Sequence, residues 1–138
     1  MIEKLESWEP YARSVMRIIV AYAFFLHGFR HLLGIFPVPA RTRAINMALD
    51  GLPAMFGVIE LAGGLLLLLG LFTRPIAVLL CAQAALAYLY TSVPRGPWPI
   101  RNGGNEALIY FLVFAYIAAT DGGEWSLDRA LQRRRDRP

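Results

Sequence analysis

Apolar residues run through this chain in four long stretches, 14–36, 52–72, 75–93 and 105–120, separated by short segments rich in proline, glycine and charge. A helix that crosses a bilayer needs about 20 mostly apolar residues, so the pattern predicts four membrane spans, the last of them short. The expected fold is all-α, a four-helix transmembrane bundle of up-down topology forming a single domain over residues 1–138. The connections carry their own signals. The stretch 37–51 predicts a short amphipathic segment on the outer surface, and Thr73-Arg74 a tight cytoplasmic hairpin with Pro75 as the first helical residue. Asn105 is placed to cap the fourth span with Glu106 in its first turn, and Ser126 to cap a short basic C-terminal tail helix.

Composition strengthens the membrane reading. At 57% hydrophobic and 17% charged, with mean hydropathy +0.45, the chain is too apolar for an ordinary soluble domain. Its net charge of +4 would suit nucleic acid, but the basic residues flank the spans, so topology explains them and no nucleic-acid partner is expected. With an even number of spans, one side holds Lys4, Arg13, Arg17, Arg74, Arg129, Arg133, Arg134, Arg135 and Arg137, and the other Arg30, Arg41, Arg43, Arg95 and Arg101. That excess places both termini in the cytoplasm and the protein in a bacterial inner membrane. Trp8, Trp98 and Trp125 lie just outside the spans, where indole rings anchor at the lipid–water boundary. The first ten residues lack the pattern of a cleavable signal, so the N-terminus is expected to be retained. The lone cysteine, Cys81, leaves neither an intrachain disulfide nor a CxxC pair.

Ionisable residues inside the spans are the functional candidates, because a charge at membrane depth costs at least about 2.5–3.5 kcal/mol and normally faces a partner or a water-filled pocket. Glu60 is the foremost. Gly57 and Gly64 share its helix face and clear space for a neighbouring backbone. The first span carries His27, Arg30, His31 and Gly34 on one face. His27 lies about 20 Å above the inner end of its span and Glu60 about 12 Å below the outer end of the next. In a core about 30 Å thick these depths nearly coincide, which predicts a His27–Glu60 contact. His27 and His31 with Glu60 would also make two imidazoles and a carboxylate for a metal, but a lone HxxxH pair is more often structural, so no metal is expected. Gln83 and Tyr22 fall at one level, predicting an interhelical hydrogen bond. Arg17, within a turn of the inner end, is expected to snorkel to the interface. Asn102, Arg101 and Glu106, near the outer ends of the spans, would join Arg30 and His31 in a polar mouth above Glu60.

Arg17, His27-Gly28-Phe29-Arg30, Glu60-Leu61-Ala62-Gly63-Gly64, the run Gly70-Leu71-Phe72-Thr73-Arg74, Asn102-Gly103-Gly104 and Trp125-Ser126-Leu127-Asp128 occur in an order and spacing that resembles the DoxX family over most of the chain. The resemblance implies a small four-helix membrane protein, with Arg17, His27, Arg30, Glu60 and Asn102 as its polar family residues. The chain departs from the family pattern where Asn105 stands between Asn-Gly-Gly and Glu106. Family members are associated with membrane oxidoreductases that pass electrons to quinone, or with redox and stress-defence assemblies. The resemblance points to an oxidoreductase subunit; with the polar residues placed by depth, His27 and Glu60 would exchange protons with a quinone, and Arg30, His31, Asn102, Glu106, Gln83 and Tyr22 would surround it. The sequence has no haem CxxCH, Fe–S cysteine set or nucleotide fingerprint, so a cofactor-bearing partner in the membrane would supply the electrons. Two further readings stand beside this one: a non-enzymatic scaffold or assembly subunit that docks another membrane protein or a second copy, and a small carrier using Glu60 as a proton or ion site.

Overall fold

The computed structural model describes residues 2–33 and 51–136. Among these, all regular structure is helical: α1 (Ile2–Leu33), α2 (Leu52–Leu69), α3 (Thr73–Ala87), α4 (Pro99–Asn102), α5 (Asn105–Ala119) and α6 (Leu127–Arg135). Helix α3 continues through a π turn at Tyr88–Ser92 and a 3₁₀ turn at Val93–Arg95. The described chain therefore has six helices where the apolar stretches alone predicted four spans and a tail. The proposed amphipathic segment at 37–51 lies outside the described residues except for Gly51. Two helical segments, Glu6–Leu32 and Thr73–Arg95, are long and apolar enough to cross a membrane, while Ala54–Leu69 and Asn105–Ala119 are shorter apolar helices.

Local chemistry moves several predicted boundaries. The first helix begins at Ile2 rather than at the apolar boundary near Ser14, and runs through Pro10. The proline carbonyl there accepts from Ser14 Oγ at 2.8 Å and from the Glu124 amide at 3.1 Å, which ties the helix to the C-terminal loop. Gly70 closes α2 in the left-handed region at φ 69°, and Phe72 follows at φ 51°. Helix α3 therefore opens at Thr73, so Pro75 is its third residue and not its first. No side chain of α3 caps its own start; the Asp128 carboxylate accepts from the amides of Phe72 and Thr73 at 2.9 and 2.8 Å. Asn105 is likewise the first residue of α5 rather than its cap, which is Gly104. Ser126 does cap α6, its hydroxyl accepting from the Arg129 amide. The extra turn α4 is framed by Pro99 at its start and Gly103 at φ 74°.

Helix α1 packs chiefly on α2 and α3 chiefly on α5, with the short α2–α3 turn joining the pairs; α1 and α5 touch only lightly. The buried core is built from Val20, Ala21 and Phe24 of α1, Leu67 of α2, Ala77 and Leu80 of α3, and Phe114 and Ile117 of α5. The Phe24 ring meets Tyr110 and Phe114 edge-on, each at 4.9 Å between centroids. Helices α1 and α2 come close because three glycines face the contact. A Cβ on Gly28 would lie 2.5 Å from the Leu61 amide nitrogen, one on Gly64 2.9 Å from Phe25 Cα, and one on Gly57 3.1 Å from His31 Cβ.

Arg17 does not snorkel. It is fully buried, and its guanidinium donates to the carbonyls of Leu67, Leu68, Gly122 and Trp125. The first two carbonyls belong to the last turn of α2, where a cation complements the negative end of the helix dipole. The others belong to the loop before α6, so one side chain bonds three parts of the chain. Replacing Arg17 by Ala is expected to lower stability by at least about 3 kcal/mol, because each hydrogen bond to a charged donor contributes about 1.5–3 kcal/mol. Lys should recover only part of the loss, since an ammonium cannot reproduce the planar fork of donors. Thermal unfolding of the purified protein in a mild detergent measures both.

Candidate functional site

Four helices contribute to one polar line through the bundle. Helix α1 sets His27 and His31 one turn apart, α2 supplies Glu60, α3 Gln83, and α5 Glu106 and Tyr110. Glu60 and Gln83 are 5% and 4% exposed, and Gln83 Nε2 donates to Glu60 Oε1 at 2.9 Å, with a longer contact of 3.4 Å to the Phe56 carbonyl. On the other side of the carboxylate, His31 Nδ1 stands 2.9 Å from Glu60 Oε2. That is ion-pair distance, but the ring N–H is not aimed along the contact, and neither atom has a hydrogen-bond partner among the described residues. Gln83 Oε1 is also buried without a donor among the described residues. The cluster thus holds unused hydrogen-bonding capacity at the centre of an apolar bundle, where each unsatisfied group costs about 1–3 kcal/mol.

The line continues outward through His27. Its ring lies edge-on to His31 at 5.8 Å and to Tyr110 at 5.7 Å, and its Nε2 is 3.6 Å from Glu106 Oε1. Glu106 is mostly exposed, so the sequence of groups Glu106, His27, His31, Glu60 and Gln83 leads from the surface into the buried centre. Imidazoles between carboxylates can pass a proton by alternating which ring nitrogen is protonated.

Several expected contacts are placed differently. The partner of Glu60 is His31 and not His27, which turns to Glu106 instead. Depth estimates fix height along a span but not which residue of an i, i+4 pair meets the neighbouring helix. Tyr22 is 56% exposed and Gln83 bonds Glu60 instead, because the face of α1 that enters the core is the one carrying Ala21 and Phe24. Asn102 is buried within its own loop, its amide donating to the Gly96 carbonyl and its Oδ1 accepting from the Gly104 amide, both at 2.8 Å. It holds the 96–104 turn in shape. Arg30 is half-buried and its Nε has no hydrogen-bond partner among the described residues. His27 and His31 face different carboxylates, and among the described residues no group of three side chains is arranged to hold a metal ion.

Tyr110 is the residue that sequence reasoning passed over. A tyrosine in an apolar span reads as packing, yet it stands four positions after Glu106 and hence on the same helix face. Tyr110 also lines a groove of about 1000 Å³ between α1 and α5, whose other walls include Trp8, Val15, Ile19 and Val113, with Glu106 at one end. The groove exists because these two helices barely touch.

The DoxX family model matches residues 12–92, which is more than half of the chain. The chain belongs to the DoxX family. It is a membrane protein of that family, and the matched segment contains Arg17, both histidines, Glu60 and Gln83, but stops before Asn102, Glu106 and Tyr110. An uncharacterised protein of Haemophilus influenzae is 40% identical over 130 residues, covering 92% of this chain and 96% of that protein. An uncharacterised membrane protein of Mycobacterium tuberculosis is 27% identical over 135 residues, covering 86% of this chain and 80% of the relative. No solved structure matches significantly.

The geometry of this DoxX protein separates two pairings that its sequence could not. A double-mutant cycle on Glu60→Gln and His31→Ala should show a coupling of about 0.5–3 kcal/mol, as for residues in direct contact, whereas Glu60→Gln with His27→Ala should couple less, because His27 reaches Glu60 only through His31. Unfolding in detergent is the measurement, and equal coupling in both cycles would contradict the arrangement described.

Proposed function

We propose that this DoxX-family protein is a subunit of an inner-membrane oxidoreductase or redox-defence complex, and that it delivers protons to a quinone while a cofactor-bearing partner delivers electrons. The observation that carries the reading is the polar line from exposed Glu106 to buried Glu60, with His27 and His31 between them. Reduction of a quinone takes up two electrons and two protons, and catalysis of the proton steps needs titratable groups within hydrogen-bond reach of the accepting oxygens. Two carboxylates and two imidazoles are suited to that work, and the spare acceptor on Gln83 and the unaligned His31–Glu60 contact leave room for rearrangement as the proton moves.

The reading takes all four apolar helices as spans, with both termini cytoplasmic. Each exposes large apolar side chains, such as Ile19, Val58, Val78 and Leu112, which suit lipid tails better than water. Helix α2 covers about 27 Å and α5 about 22 Å, so α5 crosses a core about 30 Å thick only with the help of its flanking turns or local thinning of the bilayer. The basic residues Arg74, Arg129, Arg133, Arg134 and Arg135 gather at the end where α6 meets the α2–α3 turn, as the positive-inside rule asks of a cytoplasmic face.

The test is Glu60→Gln in native membranes, followed by quinone reduction and by recovery of the intact complex in mild detergent. Quinone reduction is expected to fall by about 10²-fold or more, the usual weight of one acid–base group, with the complex still assembled. Tyr22→Phe should change neither. Unchanged turnover with loss of the complex would favour the scaffold reading, and loss of solute uptake alone would favour a carrier.

A further inference from the structure

Helix α6 is amphipathic in the reverse sense. By helical spacing Leu127, Ala130, Leu131 and Arg134 share one face, while Asp128, Arg129, Gln132 and Arg133 lie on the other side. In a water-soluble protein the apolar face turns inward. Here the polar side is turned to the bundle: Asp128 accepts from the Phe72 and Thr73 amides, and Arg129, Gln132, Arg133 and Asp136 line a polar pocket of about 800 Å³ against the α2–α3 turn. The apolar face is left outside, with Leu127 44% exposed and Leu131, which also borders that pocket, 54% exposed. The level of the helix is fixed as well. The Asp128 amide donates to the Gly70 carbonyl at 3.0 Å and Arg17 holds the Trp125 carbonyl, so α6 starts where α2 ends and α3 begins. With α2 and α3 as spans, that level is the boundary between lipid tails and headgroups, and Trp125, 56% exposed just before the helix, suits it. The cations of α6 divide into two sets. Arg129 and Arg133 both pair with Glu124, whereas Arg134 and Arg135 are exposed and have no hydrogen-bond or ion-pair partner among the described residues. Arg74, which lines the same pocket, bonds the Thr120 carbonyl and no carboxylate among the described residues.

We propose that α6 is an interfacial helix that docks anionic phospholipids: Leu127 and Leu131 sit among the upper parts of the acyl chains, and Arg134 and Arg135 bind headgroup phosphates, with Arg74 adding to the positive field. A guanidinium suits phosphate because its planar donors bond two oxygens at once. The arginine stems extend the apolar face, since their methylenes lie along lipid while the charge stays at the headgroups. A second copy seated on this face fits less well. The face carries no carboxylate for the unpaired arginines of another copy, because Asp128 is held by two amides and Asp136 lines the pocket. The proposal rests on the reading of α2 and α3 as spans and not on quinone chemistry.

The experiment places a nitroxide at Leu131→Cys or, as a control on the exposed side of α3, at Val78→Cys, each in the full chain carrying Cys81→Ser, in vesicles of phosphatidylcholine and phosphatidylglycerol. Collision with oxygen, which concentrates in lipid, is compared with collision with a water-soluble nickel chelate. Both probes are expected to favour oxygen, the one at position 131 less strongly. A probe at 131 reached mainly by the chelate, with the one at 78 in lipid, would overturn the proposal alone, whereas chelate reaching both would remove the spanning reading and the proposal with it. A probe at 131 shielded from both reagents would show a second copy on this face and also count against lipid. Headgroup choice is read separately, by native mass spectrometry of the wild-type chain released from the mixed vesicles. Retained phosphatidylglycerol should exceed phosphatidylcholine severalfold, and Arg134→Gln combined with Arg135→Gln should remove most of that preference while helical content is kept. Equal retention of the two lipids by the wild type, or a preference that the double variant leaves untouched, would refute the anionic headgroup site.

Discussion

The close approach of α1 and α2 at Gly28, Gly57 and Gly64 is the constraint on which the rest of the site depends. A lipid-embedded bundle gains little from hiding apolar side chains, because lipid is as apolar as the core, so backbones must come close for dispersion and polar contacts to hold helices together. A Cβ on Gly28 would collide with the backbone at Leu61, one residue from Glu60. Only that approach lets an imidazole on α1 reach a carboxylate on α2 at 2.9 Å. The polar centre is thus a consequence of missing side chains as much as of present ones.

Arg17 fixes the other end of the same helix pair. Its guanidinium bonds the Leu67 and Leu68 carbonyls at the close of α2, and it also holds the loop before α6. Asp128, just beyond that loop, caps α3 through the amides of Phe72 and Thr73. The tail segment is therefore part of the bundle's framework, joined by hydrogen bonds to α1, α2 and α3. With α1 and α2 tied together and α3 packed on α5, the weakly closed seam is left between α1 and α5, and there the groove lies. The same seam carries Glu106 at one end, so the shape of the fold brings an apolar cavity and a line of titratable groups to one place.

Much of this was legible in the residues. The apolar runs located the four principal helices to within a few positions, apart from the long polar start of α1, because the demands of lipid on composition are strong. The presence of Glu60 in such a run singled it out, and Gly57 and Gly64 at helical spacing announced a close neighbour. The partner was misassigned because His27 and His31 share a face, and depth alone does not say which of them the crossing helix meets. Arg17 was misread for a related reason. Its distance from the span end allows it to snorkel, and nothing local announces that a distant helix end and a distant loop will offer it carbonyls.

What the sequence determined by itself is the solvent and the elements: helices built for lipid, broken where glycine and proline require it, with a carboxylate that had to find a partner. Tertiary structure decided which partner, since the rotation of α1 about its axis is set by glycine-lined contact with α2 and not by any periodicity within α1. It also decided that Tyr22 faces outward, that Asn102 serves its own turn, and that Tyr110 joins a groove to a histidine. Periodicity fixes angles within one helix, whereas the angle between helices follows from the surfaces that meet.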